Sequence, residues 1–199
     1  MLSIREYFNK LRQEHADRKR TKQSFEAVRV AITSQNMQDL EPHLGASYSY
    51  GQAQSLVRAA LLSDHADLFN KVLQRVWDDN PNKKLREHWG VPGGGIYSDK
   101  TMSLLYTAIV FGKPQVALSL ARNPKTDIHF SGHTSTSRYY SGGLLHSGHV
   151  EEKTTYYDTC LVAARKEGMD DVVKVLAERE AAHLQQKAAA LKQEAGLAP

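Results

Sequence analysis

Between Thr159 and Ala177, apolar residues recur every three to four positions on either side of a single glycine. This spacing predicts two amphipathic helices, because it gives each segment one apolar stripe along its length. Gly168 stands between them, and a glycine inside a helix costs about 1 kcal/mol relative to alanine. A glycine at a break in the pattern instead favours a tight turn. The sequence therefore predicts a helix, a turn and a second helix in this stretch.

The same pattern of apolar positions recurs in three other stretches. Residues 103–121 align with residues 159–177 without a gap, and residues 55–73 follow the same template. Residues 26–44 form a degraded copy, in which an aspartate takes an apolar position and Pro42 falls inside the second helix. A small alanine would let the two helices of a pair approach closely. The template places one in each copy: Ala31, Ala60, Ala108 and Ala164. Four helical hairpins are therefore predicted.

Residues at the ends of the predicted helices suit their positions. Ser103 and Thr159 precede the first helix of a pair, where a hydroxyl oxygen can accept hydrogen bonds from free backbone N–H groups. Pro114 stands at the start of a second helix, where its missing N–H is tolerated. These residues support the boundaries that the apolar pattern indicates.

This template resembles the ankyrin repeat, whose signature is a Thr-Pro-Leu-His-x-Ala start, then Gly-His and an apolar second helix. The copy from Thr159 to Ala177 matches it best, at Thr159, Leu161, Ala164, Gly168, Val172, Val173 and Leu176. No copy has the Thr-Pro pair, and the aligned alanines are 29, 48 and 56 residues apart, against about 33 for the family. The resemblance implies a mainly α fold, an ankyrin-like α-solenoid of helix-turn-helix repeats with an inserted β-hairpin. A generic bundle of helical hairpins is the alternative.

Helical segments are predicted at both ends of the repeat domain, which spans residues 24–180 in this interpretation. Residues 1–23 begin with the capping-box pair Ser3 and Glu6. An apolar stripe accompanies the pair: Ile4, Tyr7, Phe8 and Leu11. We interpret this segment as a basic amphipathic helix that caps the degraded first copy. Residues 181–199 have high helix propensity and are predicted to form a C-terminal helical extension.

Two insertions lengthen the connections between copies. Residues 78–100 contain prolines and three successive glycines, so they are predicted to form a loop, and they lack the phosphate-binding P-loop pattern. Residues 126–157 are rich in Thr, Ser, Tyr, Val and His around Gly142 and Gly143, which predicts a β-hairpin with these glycines as its turn.

The register of this hairpin follows from a turn at the two glycines. It places Tyr139 opposite His146 and His133 opposite Glu152. Insertions in repeat proteins tend to lie on one face, which is often the face that binds. The two insertions are therefore the predicted binding elements.

The sequence gives little support for a catalytic site or a metal-binding site. Four histidines fall in the second insertion: His129, His133, His146 and His149. On a straight strand His129 and His133 would stand about 13 Å apart, too far to share one zinc ion. The single cysteine, Cys160, falls inside a predicted helix, where a buried thiol is inert. We therefore assign no catalytic residue, no cofactor-binding residue and no metal ligand, and expect a protein that is not an enzyme.

Positive charge is concentrated at one end of the chain. Residues 1–23 hold seven basic and three acidic residues, and the remaining residues balance to zero. Only this segment could act as a basic arm, so we expect no nucleic-acid partner for the rest of the protein. No apolar run reaches the roughly 18 residues of a membrane span, and one cysteine forms no internal disulfide. We expect a cytoplasmic monomer without stable membrane insertion.

The predicted function is a non-enzymatic protein–protein interaction module of the ankyrin-repeat type, which binds a protein partner through the enlarged insertions and a concave face. Aromatic residues dominate interface hot spots. The predicted contact residues are Trp89, Tyr97, Tyr139, Tyr140 and His146. Two alternatives stay open: a small metal-binding or hydrolytic protein that uses the histidine-rich hairpin, and a basic-arm protein that docks on nucleic acid or an anionic membrane.

Overall fold

The computed structural model describes residues 4–90, 96–140 and 149–194. They form a mainly helical fold with one four-stranded antiparallel sheet, which confirms the predicted mainly α class. The helices are α1 (Ile4–Thr33), α2 (Met37–Leu40), α3 (Tyr50–Leu62), α4 (Ala66–Val76), α5 (Leu104–Val110), α6 (Pro114–Arg122), α7 (Cys160–Lys166) and α8 (Asp170–Glu194), with a 3₁₀ helix at Glu41–His43. The strands are β1 (Lys84–Gly90), β2 (Ile96–Ser103), β3 (Gly132–Tyr140) and β4 (His149–Tyr156). The chain divides into two compact units, a first unit from Met1 to Asn80 and a second unit from Pro81 to Pro199.

Each predicted copy forms a helix pair, and its turn falls at the predicted position. The residues at the aligned break all have positive φ, between 53° and 67°: Gln35, Asp64, Gly112 and Gly168. The four aligned alanines are at most 1% exposed. In three copies the N–H just after the break donates to the carbonyl of the aligned alanine, five residues earlier, at 2.9–3.0 Å. This bond closes the end of the first helix in the manner of a Schellman motif. The copies therefore share one turn, although two of its break residues are not glycine.

Side-chain caps fix where the helices of the second unit begin. Ser103 accepts a hydrogen bond from the N–H of Tyr106, and Thr159 accepts one from the N–H of Val162, which confirms both predicted N-caps. Pro114 lies in the first turn of α6, as predicted. In the first unit the cap of α3 is Ser49, because that helix begins at Tyr50.

Helix α1 is one element of 30 residues that runs through position 23 without a break. The predicted capping helix and the first helix of the degraded copy are therefore continuous. Side chains from residue 9 to residue 20 are exposed, including Leu11 at 40%, whereas Val28, Ala31 and Ile32 are buried. Among the side chains of this helix that the structure describes, those in the last third supply its buried residues. The second helix of the copy ends early, at Leu40, and Pro42 lies in the 3₁₀ helix that follows.

Residues 78–100 do not form the predicted loop, because most of them belong to the hairpin β1–β2. The two strands pair from Lys84 with Ser103 to Gly90 with Tyr97. Leu85 and Met102 face each other in this register and are 3% and 2% exposed. Apolar and polar residues do not alternate regularly along these two strands, so the sequence gives only a weak strand signal. The glycine triplet at 93–95 lies outside the described residues.

The second insertion forms the predicted hairpin, β3–β4, but its register was wrong. Tyr139 pairs with Val150 instead of His146, and His133 pairs with Tyr156 instead of Glu152. The register of the described residues is therefore displaced from the one that a turn at Gly142 and Gly143 would give. The shift along β4 is four residues, an even number, and each residue therefore keeps its predicted face. The predicted turn glycines lie outside the described residues.

The two hairpins join through β2 and β3 into one sheet with the strand order β1-β2-β3-β4. Gly132 lies at the start of the β2–β3 pairing. A Cβ atom on this residue would stand 2.3 Å from the carbonyl oxygen of Thr101 and 3.0 Å from Cα of Met102. No residue with a side chain fits there without moving the backbone. The two insertions therefore form a single sheet, and the pairing that joins them requires a glycine at position 132.

Helix α8 is held to the end of α6 by Arg179. The guanidinium donates four hydrogen bonds, of 2.8–3.3 Å, to the backbone carbonyls of Ala121, Asn123, Pro124 and Thr126. Carbonyls at the end of a helix lack partners within the helix, and a cation complements the negative end of its dipole. Side chains from residue 181 to residue 194 are all exposed, so the described part of the predicted C-terminal extension is helical but adds no buried residue to the core of the second unit.

Replacing Gly132 by alanine should destabilise the second unit by about 1–3 kcal/mol, because inserting a methyl group against fixed backbone has a cost of that order. Unfolding in denaturant, followed by circular dichroism, measures the change. Gly51→Ala in α3 is the matched control, since a Cβ there meets nothing within 4 Å. That variant should be as stable as the wild type or slightly more stable. Equal stability of the Gly132 variant and the wild type would contradict the proposed constraint.

Replacing Arg179 by methionine should lower the free energy of unfolding by about 2–3 kcal/mol, because it leaves carbonyls at the end of α6 without their charged donor. Methionine keeps the apolar part of the side chain, so the change isolates the hydrogen bonds. Arg165→Met on α7, where the side chain is exposed, is the control and should change stability by less than about 0.5 kcal/mol. Similar losses in both variants would mean that the four hydrogen bonds are not the cause.

Candidate interaction surface

The sheet of the second unit is buried at its base, and its described side chains beyond the base are half-buried or exposed. Leu85, Met102 and Gly132 are buried in the row of residues nearest the helices. On β4, by contrast, every side chain from Glu151 to Tyr156 is exposed. Tyr97 is 55% exposed and Tyr156 is 78% exposed. The described part of the sheet beyond its base therefore offers polar and aromatic side chains to solvent.

Strand register assigns the exposed residues to two faces. Residues that pair across the sheet share a face, and alternate residues along a strand return to it. The Tyr97 face, as we name it, carries Arg86, His88, Tyr97, Asp99, Thr101, His133, Ser135, Ser137, Glu152, Thr154 and Tyr156. The rings of His133 and Tyr156 lie 5.9 Å apart on this face. Nδ1 of His88 is in hydrogen-bonding contact with a carboxylate oxygen of Asp99 there, with both side chains more than half exposed.

The opposite face is anchored to α5 through two tyrosines. The rings of Tyr106 and Tyr157 are stacked, with their centres 5.2 Å apart and their planes 7° from parallel. The hydroxyl of Tyr157 is hydrogen-bonded to Thr134, and Nζ of Lys100 lies 5.9 Å from the centre of the Tyr157 ring. Burial raises the pKa of Tyr106, so its phenol stays neutral at physiological pH. Tyr106 stands where the ankyrin signature has its first histidine, and here the position joins the sheet to a helix.

Four of the five predicted contact residues have a described backbone at the far end of the sheet, and these four do not share one face. Alternation along the strands assigns positions 97 and 139 to the Tyr97 face and positions 89 and 140 to the opposite face. Tyr97 is exposed, as a contact residue must be. The side chains of Trp89, Tyr139 and Tyr140 lie outside what the structure describes, and so does the whole of His146.

The sequence analysis did not predict that Tyr156 and His133 are direct cross-strand neighbours. The assumed turn at Gly142 and Gly143 put Glu152 opposite His133 and Tyr156 opposite His129. The composition of residues 126–157 could have indicated this shift, because strongly strand-forming residues stop before the glycines and resume only near Val150.

Cys160 gives no support to nucleophilic chemistry. Its side chain is fully buried, and burial raises the pKa of its thiol to about 12. The reactive thiolate is therefore almost absent at neutral pH. Within the described residues no group of three or more His, Cys, Asp or Glu side chains is arranged to hold a metal ion.

Comparisons with known proteins do not place the chain in a family. No protein-family model, no curated protein and no solved structure matches it. Among the helices of the described residues, none has the length and apolar character needed to cross a membrane.

The thiol of Cys160 should resist alkylation by iodoacetamide in the folded protein, because it is buried and protonated. Mass spectrometry of the native protein near neutral pH should show the unmodified chain, and the same reagent should modify it fully in denaturing guanidinium chloride. Rapid modification under native conditions would contradict the burial of this residue.

Proposed function

We propose that this chain is an ankyrin-like repeat protein that binds a protein partner without catalysing a reaction. Four helix pairs with the same turn support the repeat interpretation, since each pair has a left-handed residue at the break and a buried alanine four residues before it. The β-hairpins lie where an ankyrin-like protein has its connections between repeats. A binding role suits such an arrangement, because the helices supply a rigid support and the connections supply the contacts.

The observation that carries the proposal is the open sheet made from the two insertions. A sheet normally covers at least one face with a packed layer, because its side chains otherwise bury little apolar surface. In this sheet the base alone is buried among the described residues, and Tyr97 and Tyr156 are both more than half exposed. Such a sheet contributes little to a core, and its size is explained by contact with a partner.

The Tyr97 face is the better candidate for the contact, because the base of the opposite face is already occupied by α5. Its aromatic rings can supply apolar area, and its charged residues of both signs can set the orientation of a partner. Arg86 lies in the same row as the His133–Tyr156 pair, separated from His133 by Thr101, and Glu152 lies in the row of Tyr97. Mixed charge of this kind favours a protein surface over a polyanion, which would select one sign of charge.

The exposed part of α1 favours a second candidate function. All described side chains from residue 9 to residue 20 are exposed, and five of these residues are basic against two that are acidic. A basic helix of this kind could dock on nucleic acid or an anionic membrane. Its binding would then fall steeply with added salt, whereas contact through the Tyr97 face would respond only weakly.

Replacing Tyr97 and Tyr156 together by alanine should weaken partner binding at least about thirtyfold, because a single aromatic hot-spot residue typically contributes about 2 kcal/mol or more. A partner is first captured from a lysate of the source organism with the full chain and identified by mass spectrometry. Titration calorimetry with the purified partner then measures the change. The melting temperature should not fall, since both side chains are largely exposed.

Tyr50→Ala is the control of the same residue type, because Tyr50 is 58% exposed on the first unit. Its binding should match the wild type. Full affinity in the Tyr97/Tyr156 variant would exclude the Tyr97 face as the contact. If the Tyr97/Tyr156 variant binds as tightly as the wild type, and added salt weakens the binding of both, the basic helix is supported as the contact instead.

A further inference from the structure

Two histidines from distant parts of the chain meet on the surface of the second unit. His129 lies in the segment between α6 and β3, and His183 lies on α8. Their ring centres are 5.0 Å apart, and the ring planes are inclined by 49°. Both side chains are exposed, so neither ring is held in place by a packed core.

This separation is the one that two imidazoles adopt around a single metal ion. Imidazole nitrogens bind zinc at about 2.1 Å, and in tetrahedral geometry this places the two ring centres roughly 5 Å apart. The inclined planes also differ from the parallel arrangement of stacked aromatic rings. The distance between the two ring centres therefore matches that of two imidazole ligands of one ion.

The surroundings favour a cation. The histidines line an open groove of about 400 Å³ together with Asp127 and Gln186. One oxygen of the Asp127 carboxylate accepts hydrogen bonds from the N–H groups of His129 and Phe130, which fixes the segment that carries His129. Glu180 lies one helical turn before His183 and borders an adjoining cavity with His129. The two carboxylates offset the nearby charge of Arg179, whose guanidinium is bound to backbone carbonyls.

We propose that His129 and His183 together bind one divalent transition-metal ion, Zn²⁺ or Cu²⁺, in this groove. The groove is open to solvent, so water completes the coordination. Imidazole prefers Zn²⁺ and Cu²⁺, whereas Mg²⁺ prefers oxygen ligands. Copper binds more tightly than zinc to a given nitrogen site.

A bound ion would link α8 to the segment that leads into β3. These are also the two regions that Arg179 connects, so the ion would add a second link beside an existing one. Because it binds the folded form, it raises the melting temperature with metal concentration. Acidification weakens the effect, since an imidazole nitrogen coordinates only when it is unprotonated.

The experiment uses the full chain without a histidine tag. Melting temperature is measured with increasing ZnCl₂, with CuCl₂ and with MgCl₂, and titration calorimetry gives the stoichiometry. The wild type should bind one equivalent of Zn²⁺ with a rise in melting temperature that EDTA reverses, should bind Cu²⁺ more tightly, and should not respond to Mg²⁺. His129→Ala and His183→Ala should each abolish the zinc response, and the double variant should add nothing further.

His15→Ala is the matched control, because His15 is an exposed histidine on α1, and it should respond to zinc as the wild type does. His183→Gln gives a second test at the same position with a side chain of similar size. Circular dichroism without metal checks that each variant is folded. An unchanged zinc response in the His129 and His183 variants would overturn the proposal, and so would a wild type that shows no response to either metal.

Discussion

The second unit depends on the close approach of Gly132 to the backbone of β2. Around this point Ser103 N–H donates to the carbonyl of Ser131 at 2.8 Å, and Tyr157 N–H donates to the carbonyl of Gly132 at 3.0 Å. Ser103 ends β2 and caps α5, and Tyr157 follows β4 shortly before α7. Fixing β3 against β2 therefore fixes where two helix pairs begin. The backbone contact at Gly132 thus sets the positions at which α5 and α7 begin.

Helix ends show a second constraint, which is the need to satisfy backbone groups. Within a copy the turn after the first helix does this locally, through the left-handed break residue and the bond to the aligned alanine. At the end of α6 no such turn follows, since the chain leaves toward β3. Arg179 supplies the donors from α8 instead. The carbonyls at helix ends are therefore satisfied in two ways, by the local turn in the repeated pairs and by the distant Arg179 side chain at α6. Only the local turn leaves a repeated pattern in the sequence.

This difference explains which features could be predicted from the sequence. The helix pairs were correct because apolar spacing, Gly168 and Thr159 act within a few residues of one another. The continuity of α1 was missed although no glycine or proline separates the basic segment from the first copy. The change in composition near residue 23 was given too much weight as a boundary. The hairpin register depended on the position of the turn between β3 and β4, which the glycine pair alone does not determine. The Tyr106–Tyr157 stack and the approach of His129 to His183 depend on residues brought together only by the fold.

The insertion of α5 and α6 between two strands that pair has a consequence for folding. Joining β2 to β3 closes a loop of almost thirty residues, and the entropy lost in closing a loop grows with its length. The helix pair shortens the effective loop once it has formed, and helices form faster than hairpins. We therefore expect the helices of the second unit to form first, with the union of the two hairpins as the late, slow step. Until then β2 and β3 each present an unpaired edge, and newly made chains would be most prone to aggregate in that interval.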